Sequence, residues 1–276
     1  MFSLKNIIAV LFLFSLVITG CSEKDDPVAA PAPVDPFAGL TKISEGYAVG
    51  IATKVQIWSK TPLFTGYNNV YIAVLDSAKG TLVTDAHIHL NPMMDMGMMM
   101  HSSPYENPAS TKAVNSLFPA QIVFVMASMG GTWKVNVEVH NHVTDLEGVA
   151  SLSVTVADKT PAILKSLVAK NDSSKVFVSY LKPSSNIVGL NDFEVTIHRT
   201  KDMMTFTADS TYTVVVTPEM PSMGHGSPNN VNPTNSGKGH YKGKVNFSMA
   251  GDWRINLDIY KNGAVVDTTL YFDVTL

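Results

Sequence analysis

The chain has 276 residues, a formal net charge of −3, 45% hydrophobic and 16% charged residues. Its lysines are scattered and gather on no one face, so it offers no electrostatic footprint for nucleic acid. With 14 methionines against one cysteine, an internal disulfide is excluded and thioether sulfur is the abundant soft donor.

Residues 1–20 join Lys5, an apolar run from Ile7 to Ile18, and Gly20 immediately before Cys21. This reads as a secretory signal, too short to cross a bilayer comfortably. Ile18-Thr-Gly-Cys21 resembles a bacterial lipobox, which implies acylation of Cys21 and anchoring to a membrane through it. Ser22-Glu-Lys-Asp-Asp26 resembles the surface-export signal of Bacteroidetes lipoproteins, and the Pro/Ala-rich stretch behind it is too poor in apolar bulk to fold. Residues 21–42 are therefore expected to be a lipidated tether on an outer-membrane lipoprotein, facing the periplasm or the cell surface. No later segment is long and apolar enough for a second span.

From there onward, short alternating runs separated by Gly, Pro, Asn and Asp predict an all-β chain of two immunoglobulin-like antiparallel sandwiches, residues 43–158 and 163–276. Trp133 to His140 is the clearest strand, with Trp133, Val135, Val137 and Val139 on one face. Trp253 to Tyr260 is its counterpart. A common order runs through both halves: Gly66-Tyr-Asn68 and Gly189-Leu-Asn191, a second strand, a Met/His segment, Phe124-Val-Met126 and Phe247-Ser-Met249, glycine, then tryptophan. That order predicts a tandem repeat of about 110 residues, with Trp133 and Trp253 as inter-sheet anchors.

The Met/His segments carry the candidate chemistry. In His87-Ile-His-Leu-Asn-Pro-Met-Met-Asp-Met-Gly-Met-Met-Met-His101, turn formers surround and interrupt the methionines, so an exposed loop is expected. His87 and His89 share one face of the strand entering it, either as solvated histidines or as ligands at its mouth. Met94, Met96 and His101 are the residues of this loop with matches in the second half. There, Met220, Met223 and His225 surround Pro221 and Gly224, a spacing that turns three soft donors inward, and His240 is a candidate fourth ligand. Thioether sulfur is neutral and polarizable and selects Cu(I), while imidazole adds a borderline donor. Without cysteine thiolates, structural zinc and blue-copper sites are not expected. No nucleophile elbow, phosphate loop or isolated carboxylate pair points to an enzyme.

Met220-Pro-Ser-Met-Gly-His225, Gly239-His-Tyr241, Phe247-Ser-Met249, Gly251 and Trp253 together resemble the YtkA-like domain family. The resemblance covers about Lys165 to Leu276, and implies a small secreted immunoglobulin-like sandwich associated with copper handling and respiratory-oxidase assembly. Carried over by position, it makes Met220, Met223 and His225 the metal-facing residues. The first half departs from the pattern: Asp95 stands where a proline is expected, and the gap between Met126 and Trp133 is longer than that between Met249 and Trp253. The expectation is a lipid-anchored protein that captures copper or passes it to or from a partner protein. The rival expectation is a metal-free module whose methionine-rich loops contact a protein, since methionine suits adaptable binding surfaces.

Overall fold

The computed structural model describes residues 35–170, 172–183 and 185–276. The expected signal peptide, Cys21 and the expected tether up to Val34 lie outside the described residues. Among the described residues, no helix is long and apolar enough to cross a membrane.

The chain is all-β, built as antiparallel sheets around two cores. In the first, β1 (Thr41–Ala48), β2 (Thr53–Ser59) and β3 (Gly66–Asp76) are followed by β4 (Ala86–Asp95), β5 (Met100–Ser102) and β6 (Tyr105–Glu106). β7 (Phe118–Phe124), β8 (Thr132–Asn141) and β9 (Leu146–Val154) complete it. One sheet runs β1-β2-β3-β7-β6, the other β5-β4-β8-β9. The core enclosed extends from Ala48 to Val156.

The second core, from Ile163 to Val274, lies among β10 (Leu164–Val168), β11 (Lys175–Tyr180), β12 (Gly189–Thr200), β13 (Thr207–Ala208) and β14 (Tyr212–Met220). β15 (His225–Gly226), β16 (Val231–Gly237), β17 (His240–Phe247), β18 (Asp252–Lys261) and β19 (Ala264–Thr275) follow. Its sheets run β10-β11-β12-β17-β16, with β13 beside β12, and β15-β14-β18-β19.

Period-two alternation puts Trp133, Val135, Val137 and Val139 of β8 inside, and Trp253, Ile255, Leu257 and Ile259 of β18 likewise. Burying each such side chain is worth about 1.5–3 kcal/mol, and this is what holds the facing sheets together. The indole Nε1–H of Trp133 donates to the Met126 carbonyl, and that of Trp253 to the Met249 carbonyl, both at 3.0 Å. The longer gap before Trp133 is taken up by a short 3-10 turn, Ser128–Gly130.

The two Gly-x-Asn sequences make the same knot. Asn68 Nδ2 donates to the carbonyls of Phe64 and Gly66, and Asn68 Oδ1 accepts from Phe64 N–H. Asn191 repeats all three bonds with Ile187 and Gly189. Each glycine has positive φ, 119° at Gly66 and 109° at Gly189, a conformation that excludes ordinary side chains.

One boundary moves. The tether was expected to run to residue 42, but Phe37 stacks on Trp58 with ring centroids 4.3 Å apart and β1 pairs with β2 from Thr41. The aromatic at position 37 has an apolar partner that local composition cannot announce.

Candidate functional site

The expected loop around Met93 and Met94 is partly strand. β4 runs to Asp95 because its alternation continues unbroken: Ala86, Ile88, Leu90, Pro92 and Met94 are buried, while His87, His89, Asn91, Met93 and Asp95 face away from the core. Pro92 fits because it removes only one donor, and β4 is flanked by β8 and the short β5. Only residues 96–99 turn, with the Met99 carbonyl accepting from Met96 N–H at 3.0 Å. Met96 itself is partly buried against the first core.

In register, Met94 pairs with His101 across the β4–β5 hairpin, and Met220 pairs with His225 across β14–β15. Directly opposed residues of an antiparallel pair project from the same face, so each thioether and imidazole share one side of their hairpin. Met94 is fully buried and Met220 is 3% exposed. The glycine two residues before each tryptophan admits this end of the hairpin. A Cβ on Gly251 would stand 3.0 Å from Met220 Cε, and one on Gly131 would stand 2.3 Å from the Asp95 carbonyl oxygen.

His225 is oriented from behind. Its Nδ1 lies 2.9 Å from the Gly226 carbonyl, which can only accept, so Nδ1–H donates there and Nε2 is the nitrogen left for a ligand. That Nε2 is buried without a hydrogen-bond partner, and the ring meets Trp253 edge-on at 5.6 Å. A metal-binding histidine commonly has this arrangement, one nitrogen tied to a carbonyl and the other free. His101 Nδ1 is likewise buried and unpartnered. Met223 occupies the turn of the second hairpin and is 61% exposed, so it is not turned inward with Met220 as its spacing suggested.

Other candidate ligands part company. His87 and His89 lie on the face of β4 opposite Met94 and His101, so they do not stand at the mouth of that hairpin. They look onto an outer groove of about 350 Å³, where His87 pairs in register with His140 and His89 with Glu138. His240 does not serve the Met220 hairpin either. It stands on β17, in the opposite sheet, and both ring nitrogens are engaged: Nδ1 lies 2.6 Å from Glu194 and Nε2 2.8 Å from Glu106 of the first sandwich. Burial opposes charge on this ring, but the two carboxylates outweigh it and raise its pKa. Lys238 lies 3.4 Å from Glu106 and Lys242 3.6 Å from Glu194, while Tyr67 sits edge-on to the ring at 5.6 Å. Among the described residues, no group of three or more His, Cys, Asp or Glu side chains is placed to hold a metal ion.

Sequence reasoning missed His198. It reads as a surface histidine, yet it is 5% exposed, its Nδ1 has no partner, and desolvation by burial lowers its pKa to about 4. It pairs with Ala208 of β13 and lines a cleft shared by both sandwiches, which no local pattern encodes. A separate feature is a set of exposed thioethers: Met98, Met99 and Met100 on the first hairpin and Met129 in the turn before β8.

This fold and these hairpins define an all-β protein of immunoglobulin-like sandwiches with paired Met/His hairpins. Residues 169–258 match the family model described as YtkA-like. That stretch holds the Met220–His225 hairpin and Trp253. No curated protein matches the chain. Among solved structures, a chain of the Escherichia coli adhesin FdeC is similar at 16% identity and a TM-score of 0.26, over 84% of this chain and 65% of that one. The D00-D0 domain of intimin is similar at 14% identity and a TM-score of 0.25, over 85% of this chain and 98% of that one. The chain thus spans 65% of the length of the FdeC chain.

Proposed function

We propose that the protein is a lipid-anchored, extracytoplasmic binding protein, not an enzyme, that captures or hands over Cu(I) through its two Met/His hairpins. The two sandwiches are read as diverged copies of one unit, each with one site. The observation that carries this reading is the second hairpin. His225 Nε2 is buried, unpartnered and held in the correct tautomer by the Gly226 carbonyl, directly across from Met220. A thioether and a neutral imidazole suit a soft monovalent ion and need no deprotonation to bind it. Met223, exposed on the turn, is the thioether that an arriving ion meets first. Met94 and His101 repeat the pair in the first sandwich. The match of residues 169–258 to the YtkA-like family agrees with a copper-associated role. The anchor would be Cys21, on an outer-membrane lipoprotein facing the periplasm or cell surface, with a copper-donating or copper-accepting protein as partner.

The test is an anaerobic Cu(I) competition titration of the full chain. The hairpins are expected to account for two of the equivalents bound, with Met220→Leu plus His225→Gln removing one and Met94→Leu plus His101→Gln removing the other. No uptake by the intact chain would sink the reading. A second reading has its own observation: Met98, 99% exposed, stands with Met99, Met100 and Met129 as an apolar surface suited to a protein partner. It predicts partner binding that ignores copper chelators.

A further inference from the structure

We propose that the cleft between the two sandwiches is a third soft-metal site, in which His198 and Met204 of the second sandwich and His89 of the first bind one Cu(I). The inference rests on the copper reading above for the identity of the ion, but on different residues for its place. The cleft has a volume of about 710 Å³, and all three side chains line it.

His198 is its buried donor. Alternation along β12 turns Phe193, Val195 and Ile197 into the second core and leaves Glu194, Thr196 and His198 on the outer face, toward the first sandwich. Leaving a buried polar nitrogen unpartnered is costly, so an imidazole retained there calls for a ligand. A neutral ring supplies a lone pair at no cost in deprotonation.

Met204 is held over the same cleft by its backbone. The Asp202 carboxylate accepts from the N–H groups of Met204 and Thr205, both at 2.8 Å, and Thr200 Oγ1 accepts from Met203 N–H at 2.9 Å. Met203 has φ of 61°, uncommon for a side chain of this size. Its carbonyl accepts from Ser102 N–H at 2.9 Å, which ties the loop to β5, the strand bearing His101. Such strain persists where surrounding bonds hold it and is concentrated at functional sites.

The first sandwich contributes His89, which projects from the outer face of β4. Its Nε2, 3.3 Å from the hydroxyl of Tyr105, another lining residue, is the nitrogen on the cleft side, while its Nδ1 stands 3.8 Å from Glu138 in the outer groove. The charged groups lining the cleft, Glu106 and Lys238, pair with each other at 3.4 Å, so no excess negative charge invites a hard divalent ion. Two imidazoles and a thioether suit a soft monovalent one. An ion held there would bridge the sandwiches, and its binding would depend on their packing.

The experiment uses the full chain carrying Met94→Leu, His101→Gln, Met220→Leu and His225→Gln, titrated anaerobically with Cu(I) against a chromophoric competitor. One equivalent should remain, and copper X-ray absorption should show mixed sulfur and nitrogen ligation. Adding Met204→Leu, which preserves volume on an exposed loop, should weaken that equivalent at least tenfold, and adding His198→Gln should remove it. If the four-substitution chain takes up no copper while the unsubstituted chain does, the cleft inference is overturned and the hairpin reading stands. A residual equivalent that ignores Met204→Leu and His198→Gln overturns it as well. No uptake by the unsubstituted chain overturns both.

Discussion

His225 stands directly across the β14–β15 hairpin from Met220, and its edge meets Trp253 at a ring separation of 5.6 Å. The indole therefore reports on the imidazole. Binding of Cu(I) or Ag(I) at His225 Nε2 should change tryptophan emission, and His225→Gln should abolish the second-site part of that change. Met223→Leu should slow the response while largely preserving its amplitude, because Met223 lies on the exposed turn. Stopped-flow fluorescence separates the two. An unaltered rate in Met223→Leu would remove this residue from the entry step.

The glycines before the tryptophans should differ in sensitivity. Gly131→Ala forces a Cβ to within 2.3 Å of the Asp95 carbonyl, which is backbone and cannot swing aside. Gly251→Ala meets the flexible end of Met220 at 3.0 Å, at a φ of 133° that an alanine adopts only with strain. Both should destabilise, Gly131→Ala by about 3 kcal/mol, the upper range of overpacking, and Gly251→Ala by less because a side-chain end can move. The outcomes part on binding: Gly251→Ala displaces Met220 and should weaken copper at the second hairpin alone. Denaturant unfolding and copper titration of the same proteins check both parts.

Asn68 and Asn191 each close a loop with three hydrogen bonds. Asn68→Ala leaves the Phe64 and Gly66 carbonyls and the Phe64 N–H unpartnered in a buried place. The expected loss is about 2–3 kcal/mol of stability in the first sandwich. Asn68→Asp keeps the acceptor but deletes both donors, and should restore little. Urea unfolding with each sandwich followed separately, by Trp133 or Trp253 emission, checks this.

Much of the architecture was legible because it is written locally. Alternation at Trp133–Val139 and Trp253–Ile259 reports the buried faces of β8 and β18, and the paired Gly-x-Asn sequences report knots that close within a few residues. The Met94–His101 and Met220–His225 pairs were visible as composition, since hairpins bring near neighbours together. Orientation was less so. His87 and His89 were grouped with Met94 because they are close in sequence, but a strand alternates its faces and carries them away from it. The roles of His198 and His240 depend on Glu106, far away in the chain, and on how the sandwiches pack. No window of sequence holds that information.

The junction should have a pH optimum, set by two histidines with opposite shifts. His240 has a raised pKa in the folded chain, so its contribution is fully present below the unfolded value of about 6.5 and is lost as pH rises through the folded one. His198 is the reverse case. With its pKa lowered to about 4, it favours the unfolded chain wherever that chain alone takes the proton, so stability falls as pH drops from about 6.5 towards 4. Glu106, whose burial is outweighed by His240 and Lys238 so that its pKa is lowered, adds a loss only at still lower pH. Stability should therefore peak near pH 6.5. His240→Gln should flatten the alkaline limb, because glutamine bonds one carboxylate without the charge. His198→Gln should flatten the acid limb and leave the alkaline one in place. Thermal unfolding from pH 4 to 9 of the three proteins checks this, and an alkaline limb that persists in His240→Gln would show that another group governs it.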